Sequence, residues 1–107
     1  MSNYSEKQIN EIWKKAKTVN KESKDEWRKD YAGAWINKNR YGDHNSPYGW
    51  DVDHAKPTAK KGADNINNWI PLQWENNLKK SDDYPKFQTA VTSDKSKNIY
   101  KIQNWNY

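Results

Sequence analysis

Tryptophan and tyrosine decide what this chain can become. Seven of each stand among 107 residues, against thirteen Leu, Ile, Val and Phe together. Sparse aliphatics, a net charge of +5 and a mean hydropathy of -1.46 would otherwise describe a disordered polar chain. Each aromatic ring can bury a large apolar body, so fourteen of them predict a small folded domain with an aromatic core. The length suits one domain spanning residues 1–107, with a modest core because short chains bury a lower share of their surface. No apolar run approaches the roughly 20 residues a membrane helix needs. Zero cysteines exclude disulfides and thiolate zinc sites. The opening run Met1–Lys7 does not read as a secretory leader, and a cytoplasmic location is expected.

Charge narrows the partners without choosing one. Seventeen Lys and two Arg (Arg28, Arg40) face fourteen acids, and a pI near 9.3 suits nucleic acid. The Lys and Asn bias of an AT-rich coding sequence gives the same composition without any binding role. The distribution says more. Residues 31–54 sum to -1, with Lys38 and Arg40 against Asp43, Asp51 and Asp53. An acidic spot in a basic envelope is what a metal site acting on a polyanion requires.

Ser5 is a candidate N-cap, and Ile9, Ile12, Trp13 and Ala16 share one helical face, so a helix is expected there as a lid on the core. A second short helix is expected over about 24–31. Strands are expected at 34–37, 49–54 and 69–72, with loops at 41–47 and 55–68. A helix follows over 73–80. Phe87, Thr89 and Val91 alternate toward a polar turn at 93–98, and a return strand over 99–102 closes a C-terminal β-hairpin.

Chemistry concentrates between residues 49 and 82. Asp53 and His54 adjoin at a strand end, so one side chain can hold a metal while the other meets water. Asn77 on the next helix can turn an amide oxygen back toward that strand. Carboxylate and amide oxygens suit Mg²⁺ or Mn²⁺ rather than a closed zinc cage. An imidazole titrating near neutrality can take a proton from attacking water.

Asp53-His54, Gly62, Asn68 before Trp69-Ile70-Pro71-Leu72, and Asn77 with Lys80 form an ordered set. That set resembles the HNH endonucleases, in an H-N-N variant, over about a third of the chain. The resemblance implies an α+β fold built on a ββα-metal finger, flanked here by the N-terminal helix and the C-terminal hairpin. It implies metal-dependent hydrolysis of nucleic-acid phosphodiesters, DNA above all. It makes His54 the general base, Asp53 and Asn77 ligands of a single Mg²⁺ or Mn²⁺, and Asn68 the residue that ties the loop and orients the base. Lys80 becomes a phosphate contact. Many relatives carry a structural zinc on Cys-x-x-Cys beside the last motif. Gln73 and Asn76 stand at those positions here, so no structural zinc is expected, and Trp69 and Trp74 are expected to pack in its place.

Lys79, Lys80, Lys60 and Lys61 are the expected nucleic-acid contacts. Each site residue also has a plainer reading. His54 can be a surface histidine beside an acid, Asn68 a loop tie, Lys80 a cation favoured at a helix C-terminus. Asp51 is as readily solvated as it is a support for the site, and His44 reads as exposed in its loop. The competing function is an HNH-like module that binds nucleic acid or a protein partner and cleaves nothing.

Overall fold

The computed structural model describes residues 4–107; the reading of the opening run as free of a leader falls partly on residues 1–3, outside them. Helix α1, Glu6–Trp13, begins where the sequence places it. Ser5 Oγ accepts from the Gln8 amide at 3.1 Å, and Gln8 Oε1 accepts from the Ser5 amide at 2.9 Å. This reciprocal box satisfies two orphan donors of the first turn. Ser5→Ala is expected to lower stability by about 1 kcal/mol, read as a shift in the urea midpoint. The helix buries Ile12 and Trp13 completely.

Strands β1 (Lys17–Thr18), β2 (Trp27–Lys29) and β3 (Trp35–Asn37) form an antiparallel sheet. The helix expected over 24–31 is therefore a strand. Trp27, Arg28 and Lys29 pair with Asn37, Ile36 and Trp35, and that pairing overrides the helical spacing of Trp27 and Tyr31. Arg28 adds to the preference. Its guanidinium donates to the carbonyls of Lys24, Lys14 and Ala16, fastening β2 to the end of α1.

Strands β4 (Trp50–His54) and β5 (Trp69–Gln73) pair in full, from Trp50 opposite Gln73 to His54 opposite Trp69. Helix α2, Trp74–Lys80, leaves directly from β5. Gln73 is its cap rather than its first residue, because its Oε1 accepts from the Glu75 and Asn76 amides. The tail is the expected hairpin, though longer. Strands β6 (Lys86–Asp94) and β7 (Lys97–Asn106) meet at a turn of only Lys95 and Ser96, with Lys95 in the left-handed region.

The described residues thus form a mixed α+β fold of two helices and three small antiparallel sheets. Ile12, Trp13, Ala16, Ile36, Trp50 and Trp69 make the main core cluster, with the Trp13 and Trp50 rings 5.5 Å apart. Aromatic area replaces the missing aliphatics, as the composition demands. Among the described residues no helix is long and apolar enough to cross a membrane.

A polar hub joins the sheets. Asp30 is fully buried, and its two oxygens accept from the amides of Ala32, Ala34 and Gln73 and from Asn76 Nδ2. Burial pushes its carboxyl above the usual range, and the hydrogen bonds draw it back in part. Asn76 donates also to the Val91 carbonyl and accepts from the Ala90 and Val91 amides. One buried amide thereby ties the turn after β2, the start of α2 and the middle of β6.

Candidate functional site

Strand β4 delivers Asp53 and His54 to its end, and α2 brings Asn77 back beside them. The pairing of β4 with β5, followed at once by α2, makes this return possible within few residues. Asp53, His54, Pro57, Asn77 and Asp82 help line one open pocket of about 310 Å³. Three residues chosen from sequence therefore share a pocket, and Asp82 joins them unannounced.

Asp53 is buried, and Lys80 Nζ lies 3.1 Å from its Oδ2. Burial dominates over that pairing and pushes the Asp53 carboxyl up to about 6; Lys80 and then His54 oppose the rise, and Asp82 adds to it. Oδ2 is enclosed and has no hydrogen bond of good geometry, although the ion pair compensates its charge.

Lys80 is not where the sequence reading put it. Its side chain is fully buried, donating to the His54 carbonyl at 3.2 Å and lying 5.3 Å from the Phe87 ring centroid. A cation so enclosed does not meet a substrate phosphate; it compensates Asp53. Consecutive helix residues point about 100° apart, and here the turn carries Lys80 inward and leaves Lys79 facing water. Lys60 and Lys61, in the loop after Pro57, face it as well.

His54 has a partner that the sequence reading missed. Its Nε2 lies 2.8 Å from Asp64 Oδ1, which also accepts from Trp69 Nε1 at 3.1 Å. The bond to His54 holds the Asp64 carboxyl below its ordinary value. An ionised carboxylate can only accept, so Nε2 carries a proton toward Asp64, and in the neutral ring Nδ1 then holds the lone pair. Asp64 sits ten residues along a loop, and only its nearness to Gly62 in a turn-rich run could have drawn attention to it.

Asn68 ties this loop. Its Oδ1 accepts from the Lys56 amide, and its Nδ2 donates to the Lys56 and Ala63 carbonyls at 2.8 and 2.7 Å. Gly62 completes the closure: a Cβ there would stand 1.7 Å from the Lys56 carbonyl oxygen, so no other residue fits. Asn68 itself does not line the pocket; it shapes the loop that carries Asp64 to His54.

Asp51 and His44 pair with each other at 2.8 Å, and the His44 ring stacks on Trp74 with centroids 4.9 Å apart. Asp51 is thus neither free in solvent nor in contact with Asp53.

Among the described residues no three His, Cys, Asp or Glu side chains converge as a metal group. The donors present are of another kind. The Asn77 amide has no hydrogen-bond partner among the described residues, and with Asp53 and Asp82 it gives the pocket three hard oxygen donors. Such a set fits Mg²⁺ or Mn²⁺ holding several waters, with the enclosed Asp53 Oδ2 already taken up by Lys80. Compared with protein-family models, curated proteins and solved structures, the chain matches none of them.

Proposed function

We propose that this chain is a metal-dependent endonuclease of the HNH type that hydrolyses nucleic-acid phosphodiester bonds, DNA foremost, through a ββα-metal finger formed by β4, β5 and α2. The observation that carries this reading is the meeting of Asp53, His54 and Asn77 at one polar pocket. His54 Nδ1 takes the proton of the attacking water, while Asp64 holds the ring by Nε2. Asp53 and Asn77 would hold the ion, with Asp82 beside them. A divalent ion there supplies charge stabilisation for the phosphate and the leaving oxygen. Lys80 keeps Asp53 compensated inside the fold, and Lys79, Lys60 and Lys61 stand on the surface for the phosphate backbone.

Plasmid DNA incubated with the chain in Mg²⁺ or Mn²⁺ should be nicked or linearised, and a chelator should stop the reaction. Asp53→Asn and Asn77→Ala should each weaken ion binding in calorimetry. Unchanged affinity in both variants removes these residues as ligands.

Binding without cleavage is the second reading, favoured by one observation: the Lys80 ammonium already neutralises the carboxylate that an ion would need. Intact plasmid in both ions, with retained DNA binding, would select it.

Salt tests the surface lysines. Counterion release makes log K fall with log salt by about 0.9 per neutralised duplex phosphate. Replacing Lys79, Lys60 and Lys61 together by Ala should flatten that slope by about 2 to 3. A slope that stays unchanged would place the phosphate contacts elsewhere.

A further inference from the structure

Asn68 and Gly62 place the backbone of Asp64 but leave its side-chain direction open. That side chain is 68% exposed, and an exposed carboxylate gains little in water from a single charged partner. Left to itself it would sample several staggered rotamers, not all of which reach His54.

A buried ring makes the choice. Trp69 Nε1 and His54 Nε2 meet on the same oxygen, Asp64 Oδ1, at 3.1 and 2.8 Å. An indole N–H can only donate, and one carboxylate oxygen can accept twice. Both bonds favour the ionised acid and draw its pKa down, His54 more than Trp69. The acceptor sets this tryptophan apart. Trp13, Trp35, Trp50 and Trp74 donate to backbone carbonyls and Trp105 to the Thr89 hydroxyl, whereas Trp69 donates to a carboxylate.

Trp69 can impose a direction because it is itself fixed. It is buried in the main core cluster, and its backbone stands opposite His54 in the β4–β5 pair. Its carbonyl accepts from Lys15 Nζ at 2.7 Å, and the same ammonium takes the Ile66 carbonyl. The Tyr4 ring meets the indole in a T-shaped contact at 4.8 Å. The segment before β1 thus reaches the base from behind, through Trp69.

We infer that Trp69 is a positioning residue for the base: its indole N–H turns the Asp64 carboxylate toward His54, and the carboxylate in turn fixes the imidazole. The inference rests on the nuclease reading for what the histidine does. The coupling of the three side chains does not depend on cleavage.

Two measurements test it: motion of the His54 ring by carbon relaxation, in chelator at one pH, and plasmid cleavage in Mg²⁺. Trp69→Phe keeps an aromatic ring and removes the N–H. The His54 ring should become more mobile, and kcat should fall about fivefold, the worth of one hydrogen bond, with KM unchanged. The same substitution made in Asp64→Ala should change neither quantity further, because a residue that acts through another does not add to its loss. A merely structural tryptophan would cost the same in either background. Asp64→Ala alone alters only an exposed side chain, so it keeps the test open if Trp69→Phe fails to fold. In it the Trp69 indole proton should move in the NMR spectrum and exchange faster with water. A still indole proton in Asp64→Ala, an unchanged His54 ring in Trp69→Phe, or full additivity of the two substitutions overturns the inference. If the native chain leaves plasmid intact, the nuclease reading falls, and the ring motion and indole proton still decide the coupling.

Discussion

Asn76→Leu should bring the fold close to its limit of stability. The native amide makes four hydrogen bonds: two donated, to Asp30 Oδ2 and the Val91 carbonyl, and two accepted, from the Ala90 and Val91 amides. All of it is buried. Leucine keeps the branching, is larger and supplies none of those bonds, so no cavity is left and the loss reports stranded polar groups together with some overpacking. Each buried group left without a partner costs about 1–3 kcal/mol. With several stranded at once, a loss of about 3–5 kcal/mol is expected, against a total of roughly 5–15 kcal/mol for a domain. Urea unfolding should show a much lower midpoint with an unchanged slope. A loss below about 0.5 kcal/mol, ordinary for surface substitutions, would mean that the hub does not hold the hairpin to α2.

That hub occupies the positions where the resemblance led one to look for zinc support. Gln73 and Asn76 are both fully buried, and both bond to Asp30. The expected substitute, packing by Trp69 and Trp74, is only part of the account. Trp69 packs in the core cluster, while Trp74 donates to the Ser46 carbonyl and stacks on His44. What joins β5, α2 and β6 at this point is a carboxylate and two amides, each saturated. A buried polar knot of this kind is unforgiving, because a half-satisfied network is worse than none.

Local signals made much of the fold readable. The Ser5 cap and the apolar face from Ile9 to Ala16 announced α1, alternation announced β4, and Gln73–Lys80 with its run of good helix formers announced α2. What failed was decided at long range. Trp27 and Tyr31 have helical spacing, but the segment pairs with β3 and is pinned by Arg28. The return strand reaches Asn106 because Trp105 pairs with Phe87 and donates to Thr89 Oγ1, contacts that no window around residue 102 contains. At the site, Asp53, His54 and Asn77 were legible through their order along a strand, loop and helix. Asp64 was not, since a loop residue's reach depends on how Asn68 and Gly62 fold the loop. Lys80 was misplaced for a related reason. Its identity suggests solvent, and only the burial of Asp53 explains why a lysine turns inward.

His54→Ala should abolish turnover while leaving the fold intact. The imidazole is part-exposed, and its ring contacts are few: Asp64 at Nε2 and a T-shaped approach to Trp69 at 6.5 Å. Its backbone, which holds β4 to β5 and accepts from Lys80, is untouched by the change. Thermal unfolding should therefore move little, and duplex binding in chelator should persist. Cleavage should fall by about 10²–10⁴, the usual worth of a positioned general base. Asp64→Ala should give a smaller loss, because the base survives but loses the carboxylate that fixes its tautomer and direction. The order of the two effects is the sharpest part of the test. Lost turnover in His54→Ala with a milder loss in Asp64→Ala is what Nδ1 acting on water requires. Wild-type turnover in His54→Ala would remove the histidine from the reaction and, with it, the nuclease assignment of this pocket.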